Sequence, residues 1–96
     1  MKPSEALEKH RDAIRAVVAR YRVANPRVFG SALHGDDRED SDLDILVDAL
    51  PGATLFDLGG LQSDLEKLLG VKVDVRLTGE LSRFFREEVL AEAAPI

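Results

Sequence analysis

The chain has 96 residues, of which 45% are hydrophobic and 32% charged, with no cysteine, two histidines and a net charge of −5. Such a balance belongs to one folded globular domain, residues 1–96, and excludes disulfide scaffolds, zinc–thiolate sites, thiol nucleophiles and centres built on several imidazoles. The acidity is local: positions 36–48 hold seven acids against one base, Arg38, a net charge of −6 that leaves +1 for the rest.

In chain order, Ser4 is placed to cap a helix running to about Arg22. Leu7, Ile14, Val17, Val18 and Tyr21 recur at helical spacing on its inner face. Arg11, Arg15 and Arg22 form a neighbouring stripe that reads as solvated. Pro26 fits a short loop before a strand at Arg27-Val28-Phe29, which Gly30-Ser31 ends. Residues 32–41 form a polar connection, in which Asp36, Asp37, Glu39 and Asp40 read as solvated surface and His34 as a loop residue. Leu43–Val47 is the next strand, with Leu43, Ile45 and Val47 on one face and Asp42, Asp44 and Leu46 on the other.

A leucine-rich helix follows, carrying Leu58, Leu61, Leu65, Leu68 and Leu69. Gly59-Gly60 weakens its first turn by up to roughly 1 kcal/mol per glycine, and Gly70 fits the position past its end. Val71, Val73, Val75 and Leu77 alternate with Lys72, Asp74 and Arg76, predicting a half-buried strand. A last helix spans about Leu81 to Ala93, with Phe84 and Phe85 read as core and one of them left over for a partner, and Pro95 stops it. The order α-β-β-α-β-α predicts an α/β (α+β) domain with helices packed on a small mixed sheet.

Asp42 and Asp44 stand two apart on a strand, so their carboxylates share a face with Cβ atoms roughly 7 Å apart. Hard oxygens at that spacing suit a divalent cation. If the Asp74 strand lies alongside in register, three carboxylates converge, able to hold Mg²⁺ against nucleotide phosphates and to accept a proton from an attacking hydroxyl. Glycine at position 30 permits close approach of backbone to phosphate, and Ser31 offers a hydroxyl. Asp-x-Asp alone carries little weight, since ten aspartates in 96 residues produce about one such pair by chance. The ordered set of apolar strand, Gly30-Ser31, ten-residue gap, Asp42-Leu43-Asp44, apolar strand and Asp74 is far more specific.

Val28-Phe29-Gly30-Ser31 through Ser41-Asp42-Leu43-Asp44-Ile45-Leu46-Val47 resembles the signature of the minimal nucleotidyltransferases, small members of the DNA polymerase β-like superfamily. The resemblance covers nearly the whole chain. It implies that superfamily's nucleotidyltransferase fold, a Mg²⁺–ATP substrate and transfer of a nucleoside monophosphate to a hydroxyl. It also implies that Gly30 and Ser31 hold the triphosphate, and that Asp42, Asp44 and Asp74 are the catalytic and metal-binding carboxylates. Family members often carry arginines just after Gly-Ser, where this chain has Ala32, Leu33 and His34. Arg38 remains, as a partner for its acidic neighbours or as a phosphate contact.

Many free-standing members are antitoxins of a HEPN-family ribonuclease toxin, some of which add AMP to a toxin tyrosine. A protein adenylyltransferase acting as antitoxin, in a hetero-oligomer with such a toxin, is therefore the expected function. A non-catalytic antitoxin acting by stoichiometric binding and a transferase for a small hydroxylated acceptor such as an aminoglycoside are the alternatives. Direct nucleic-acid binding is not expected without a broad basic surface. No long uncharged apolar run offers a membrane span, and the first residues do not form a secretory h-region, so the expected location is the cytoplasm.

Overall fold

The computed structural model describes all 96 residues. The chain opens with two helices, α1 (Pro3–Lys9) and α2 (Arg11–Val18), in place of the single helix expected to Arg22. The break at His10, with φ −123° and ψ 22°, carries no proline or glycine. Packing accounts for it: Ala6 and Leu7 on α1 and Ile14, Val17 and Val18 on α2 are all buried, and the bend lets both short helices face one core. Nor does Ser4 cap α1. Pro3 occupies its first turn, and Ser4 donates both its backbone N–H (2.7 Å) and its Oγ–H (2.9 Å) to Asp37. Asp37, expected as solvated surface, is buried and satisfies that helix start from 33 residues away. Burial works against its charge, but the Ser4 bonds outweigh burial and its pKa falls below the usual carboxylate range.

Strand β1 (Val23–Phe29) begins four residues earlier than Arg27-Val28-Phe29 would suggest. Pro26 is tolerated because the pairing register shifts between Ala24 and Arg27, a bulge at which Asn25 takes φ 54°. A one-turn helix α3 (Ser31–His34) follows, then β2 (Leu43–Ala49). Helix α4 (Leu55–Leu69) starts at a capping box in which the Asp57 carboxylate accepts from the Thr54 N–H at 2.8 Å, and it ends at left-handed Gly70. Gly60 does more than weaken the first turn. A Cβ there would lie 2.8 Å from Tyr21 Cε1, and Tyr21 is fixed by a hydrogen bond from its hydroxyl to Asp64.

Strand β3 (Val73–Leu77) leads through a 3₁₀ turn at Thr78–Glu80 to α5 (Arg83–Glu92). Residues Ala94–Pro95 then add a two-residue β4 beside Arg27 and Val28, an element the helix-stopping reading of Pro95 does not contain. An edge position suits proline, which has no N–H to give the ladder. The sheet order is β3-β2-β1-β4, with β2 and β3 parallel and the other pairs antiparallel. The fold is thus a mixed α/β sheet with helices packed on it, as the element pattern predicts.

One sheet face carries Val28, Leu43, Ile45, Val47, Val73 and Val75 into a core shared with α1, α2 and α4. Registers Arg27↔Leu46, Phe29↔Asp44 and Asp44↔Asp74 place the chemistry-bearing residues on the other face. Leu46 is fully buried even there. Helix α5 has no buried residue, and Phe84 (80% exposed) and Phe85 (61%) lie outside the core expected for them. Arg83 covers the Phe84 ring at 5.4 Å. No helix is long and apolar enough to cross a membrane.

Candidate active site

The site begins where β1 ends. Phe29 pairs with Asp44, so the next residue, Gly30, lies against the Asp44 side chain. Gly30 takes φ 74° and ψ −152°, a conformation essentially confined to glycine. A Cβ there would come within 2.3 Å of Asp44 Oδ2. Two independent constraints, backbone angle and space, therefore require glycine. Ser31 follows as the first residue of α3.

Asp44 lies beside Asp74 in register on the parallel β2–β3 pair, where neighbouring strands run roughly 4.8 Å apart. Asp42, just before β2, is exposed. Burial, followed by the charges of Asp74 and Asp42, raises the Asp44 pKa to about 6, and Arg76 partly offsets this. Asp74 directs Oδ2 to Arg76 Nε at 3.1 Å. No three acidic or imidazole side chains form a ready-made metal cage. The convergence of three carboxylates on one point is thus incomplete as the side chains stand: Asp44 and Asp74 are neighbours, and Asp74 is engaged by a guanidinium. Like charges separate when nothing positive stands between them.

The donor set nonetheless fits Mg²⁺. All candidate ligands are hard carboxylate oxygens, and Asp44 is half-buried near the like charges of Asp74 and Asp42. Mg²⁺ ordinarily takes one or two carboxylates together with waters and substrate phosphates rather than an all-protein cage.

Other expected residues lie further out. Arg38 is exposed; its backbone N–H donates to Ser41 Oγ at 2.9 Å, and its guanidinium is free of the ion pairs that hold Arg11, Arg15, Arg27 and Arg76. His34, placed on α3 rather than in a loop, is exposed and meets Glu92 of α5 at 3.1 Å. Arg22 lies outside α2 and donates to the Gly52 carbonyl at 3.1 Å.

Sequence reasoning missed two features of this face. One is the Arg76 contact to Asp74, for which the only sequence signal is their i, i+2 spacing on one strand face. The other is a cluster at the far end, where Asp48 accepts from Thr78 Oγ1 (2.6 Å), Arg27 Nη2 (2.7 Å) and Asn25 Nδ2 (2.9 Å). Those bonds, the Thr78 one foremost, hold the Asp48 pKa down to about 2.

A glycine bend pressed against paired strand carboxylates, on a small mixed sheet, is the arrangement expected above for a nucleotidyltransferase. Residues 7–96 match the nucleotidyltransferase domain family, and the chain belongs to that family of enzymes. A solved structure assigned as a minimal nucleotidyltransferase superposes with a TM-score of 0.87 at 45% identity, covering 97% of this chain and 95% of that one. Protein adenylyltransferase MntA of Thermococcus cleftensis (strain DSM 27260 / KACC 17922 / CL1) is 40% identical over 73 residues, 76% of this chain and 74% of its own. MJ0435 of Methanocaldococcus jannaschii, assigned as a protein adenylyltransferase, is 32% identical over 80 residues, 83% of this chain and 86% of its own. A crystal structure of a toxin–antitoxin with AMP-PNP shares the fold at a TM-score of 0.75 and 21% identity, covering 88% of this chain and 69% of that one.

Proposed function

We propose that this protein transfers AMP from Mg²⁺–ATP to a tyrosine hydroxyl of a HEPN-family toxin, and so acts in the cytoplasm as the antitoxin of that partner. The observation that carries this reading is the packing of the Gly30 backbone against Asp44, with Asp74 beside it in register. It sets the glycine bend directly beside oxygens suited to a cation. The relatives named protein adenylyltransferase support a protein acceptor, and the fold shared with a toxin–antitoxin complex supports a toxin as that acceptor.

In this reading Gly30 and Ser31 hold the triphosphate, with Arg38 able to reach it from the following loop. Asp42 and Asp44 would hold the Mg²⁺, which when bound would supply charge neutralisation at the phosphates. The acceptor oxygen attacks the α-phosphorus, an O–P bond forms, and the bond from that phosphorus to the β-phosphate bridging oxygen breaks. Asp74 orients the acceptor hydroxyl and takes its proton. In a surface cleft on so small a domain, the partner supplies the remaining wall and excludes water.

The test is intact-mass measurement of a co-expressed toxin after exposure to ATP and Mg²⁺. A gain of one adenylyl unit, abolished by Asp42→Ala with Asp44→Ala, is expected. An unchanged toxin mass refutes the transfer. The exposed Phe84 and Phe85 favour a second reading, neutralisation by binding alone. Full antitoxin effect in the double-alanine variant would establish it.

A further inference from the structure

Of the cations on the chemistry face, Arg76 alone is paired with one of the three candidate carboxylates. Its Nε donates to Asp74 Oδ2 at 3.1 Å, and its charge also reaches Asp44. The pair is not locked in: the Arg76 side chain is 54% exposed and that of Asp74 37%. A guanidinium on a flexible stem, paired at the surface, exchanges partners at little cost. By contrast Arg27, also on this face, is only 18% exposed and is held by Asp48 and Thr78.

Building on the metal site assigned above to Asp42 and Asp44, we propose that Arg76 is a positioning residue that serves as the internal counter-ion of the carboxylate group and couples metal binding to nucleotide binding. In the free protein its positive charge opposes a divalent cation and keeps Asp74 engaged. A bound triphosphate attracts the guanidinium, since phosphate oxygens accept its N–H groups in pairs. Its departure frees Asp74 to face the cation and the acceptor hydroxyl. Metal alone therefore binds weakly, and metal with nucleotide binds cooperatively. This exchange gives the chain a cation for phosphate at β3, where the positions after Gly30-Ser31 provide Ala32, Leu33 and His34 instead of arginine.

The experiment is Mn²⁺ titration of the full chain followed by the electron paramagnetic resonance of free Mn²⁺, with and without a non-hydrolysable ATP analogue. Arg76→Gln is expected to tighten Mn²⁺ binding without nucleotide by about 3- to 10-fold, the scale of a partly exposed charge interaction. The gain in Mn²⁺ affinity conferred by the analogue is expected to shrink in the same variant. Arg76→Lys, which keeps the charge, is expected to bind Mn²⁺ without nucleotide as the parent does. Mn²⁺ binding by Arg76→Gln that is no tighter than the parent's, with the analogue's effect intact, overturns the proposal. Asp42→Asn with Asp44→Asn separates this result from failure of the site itself: if parent Mn²⁺ binding survives that change, the metal site is elsewhere and the Arg76 coupling falls with it.

Discussion

Replacing Gly30 by alanine tests the geometry on which the site rests. Two costs add. The backbone at φ 74°, ψ −152° lies in a region that side-chain-bearing residues occupy at a cost of about 1–3 kcal/mol. The new Cβ would also stand 2.3 Å from Asp44 Oδ2 and 3.2 Å from its Cγ, and displacing a half-buried carboxylate is an overpacking cost of about 1–3 kcal/mol. A total loss of about 2–6 kcal/mol would lower Tm by roughly 4–8 °C for each kcal/mol in a domain of this size.

Gly35→Ala is the control. Its φ is 73° with ψ 15°, and nothing lies within 4 Å of the added Cβ, so it should lose only about 1–2 kcal/mol. The decisive measurement is a double-mutant cycle by urea unfolding. Truncating Asp44 to alanine leaves only its Cβ, 3.5 Å from the new methyl, an ordinary contact. Gly30→Ala and Asp44→Ala should therefore couple favourably by about 1–3 kcal/mol, with the backbone cost remaining. Additive losses, or a Gly30→Ala variant no less stable than Gly35→Ala, would refute the packing of bend against carboxylate.

Adjacent glycines of α4 should respond with opposite signs. Gly59→Ala, with open space around it, should stabilise by about 1 kcal/mol through helix propensity, whereas Gly60→Ala should destabilise by about 1–2 kcal/mol by displacing Tyr21; thermal melts decide both. Asp48→Asn should show a pH signature. The folded pKa, about 2, lies below the ordinary 3.8, so the stabilisation is complete above pH 4 and is lost as pH falls through 2. Because its side chain is 40% exposed, the loss at pH 7 is discounted to about 1 kcal/mol, and the gap between variant and parent in urea unfolding should close toward pH 2.

What could be read from the chain was what local pattern encodes. Period-2 alternation located β2 and β3, leucine spacing and Gly70 located α4, and Gly30-Ser31 with Asp42, Asp44 and Asp74 marked the face on which the candidate site lies. What escaped depends on partners far along the sequence. The break at His10 follows from two helices sharing one core. Strand β4 exists only because the edge of β1 away from β2 is open for two residues to join. Asp37 looks like its acidic neighbours until Ser4 is brought beside it, and Gly60 looks like a weakness until the Tyr21 ring fills the space. Phe84 and Phe85 obey helical spacing yet stay exposed, because amphipathic periodicity does not say whether a helix face meets its own chain. Arg76 carried no mark beyond its alternation with Asp74.

The part-buried bond pair between Ser4 and Asp37 gives the stretch joining Ser31 to Asp42 a fixed anchorage near its midpoint. Motion there is tied to fraying of the first helix, so loosening the amino end would disturb the spacing between the glycine bend and the strand acids before the sheet itself came apart. Amide exchange at α1 and across residues 35–42 would then rise together as one cooperative opening unit, ahead of β2 and β3.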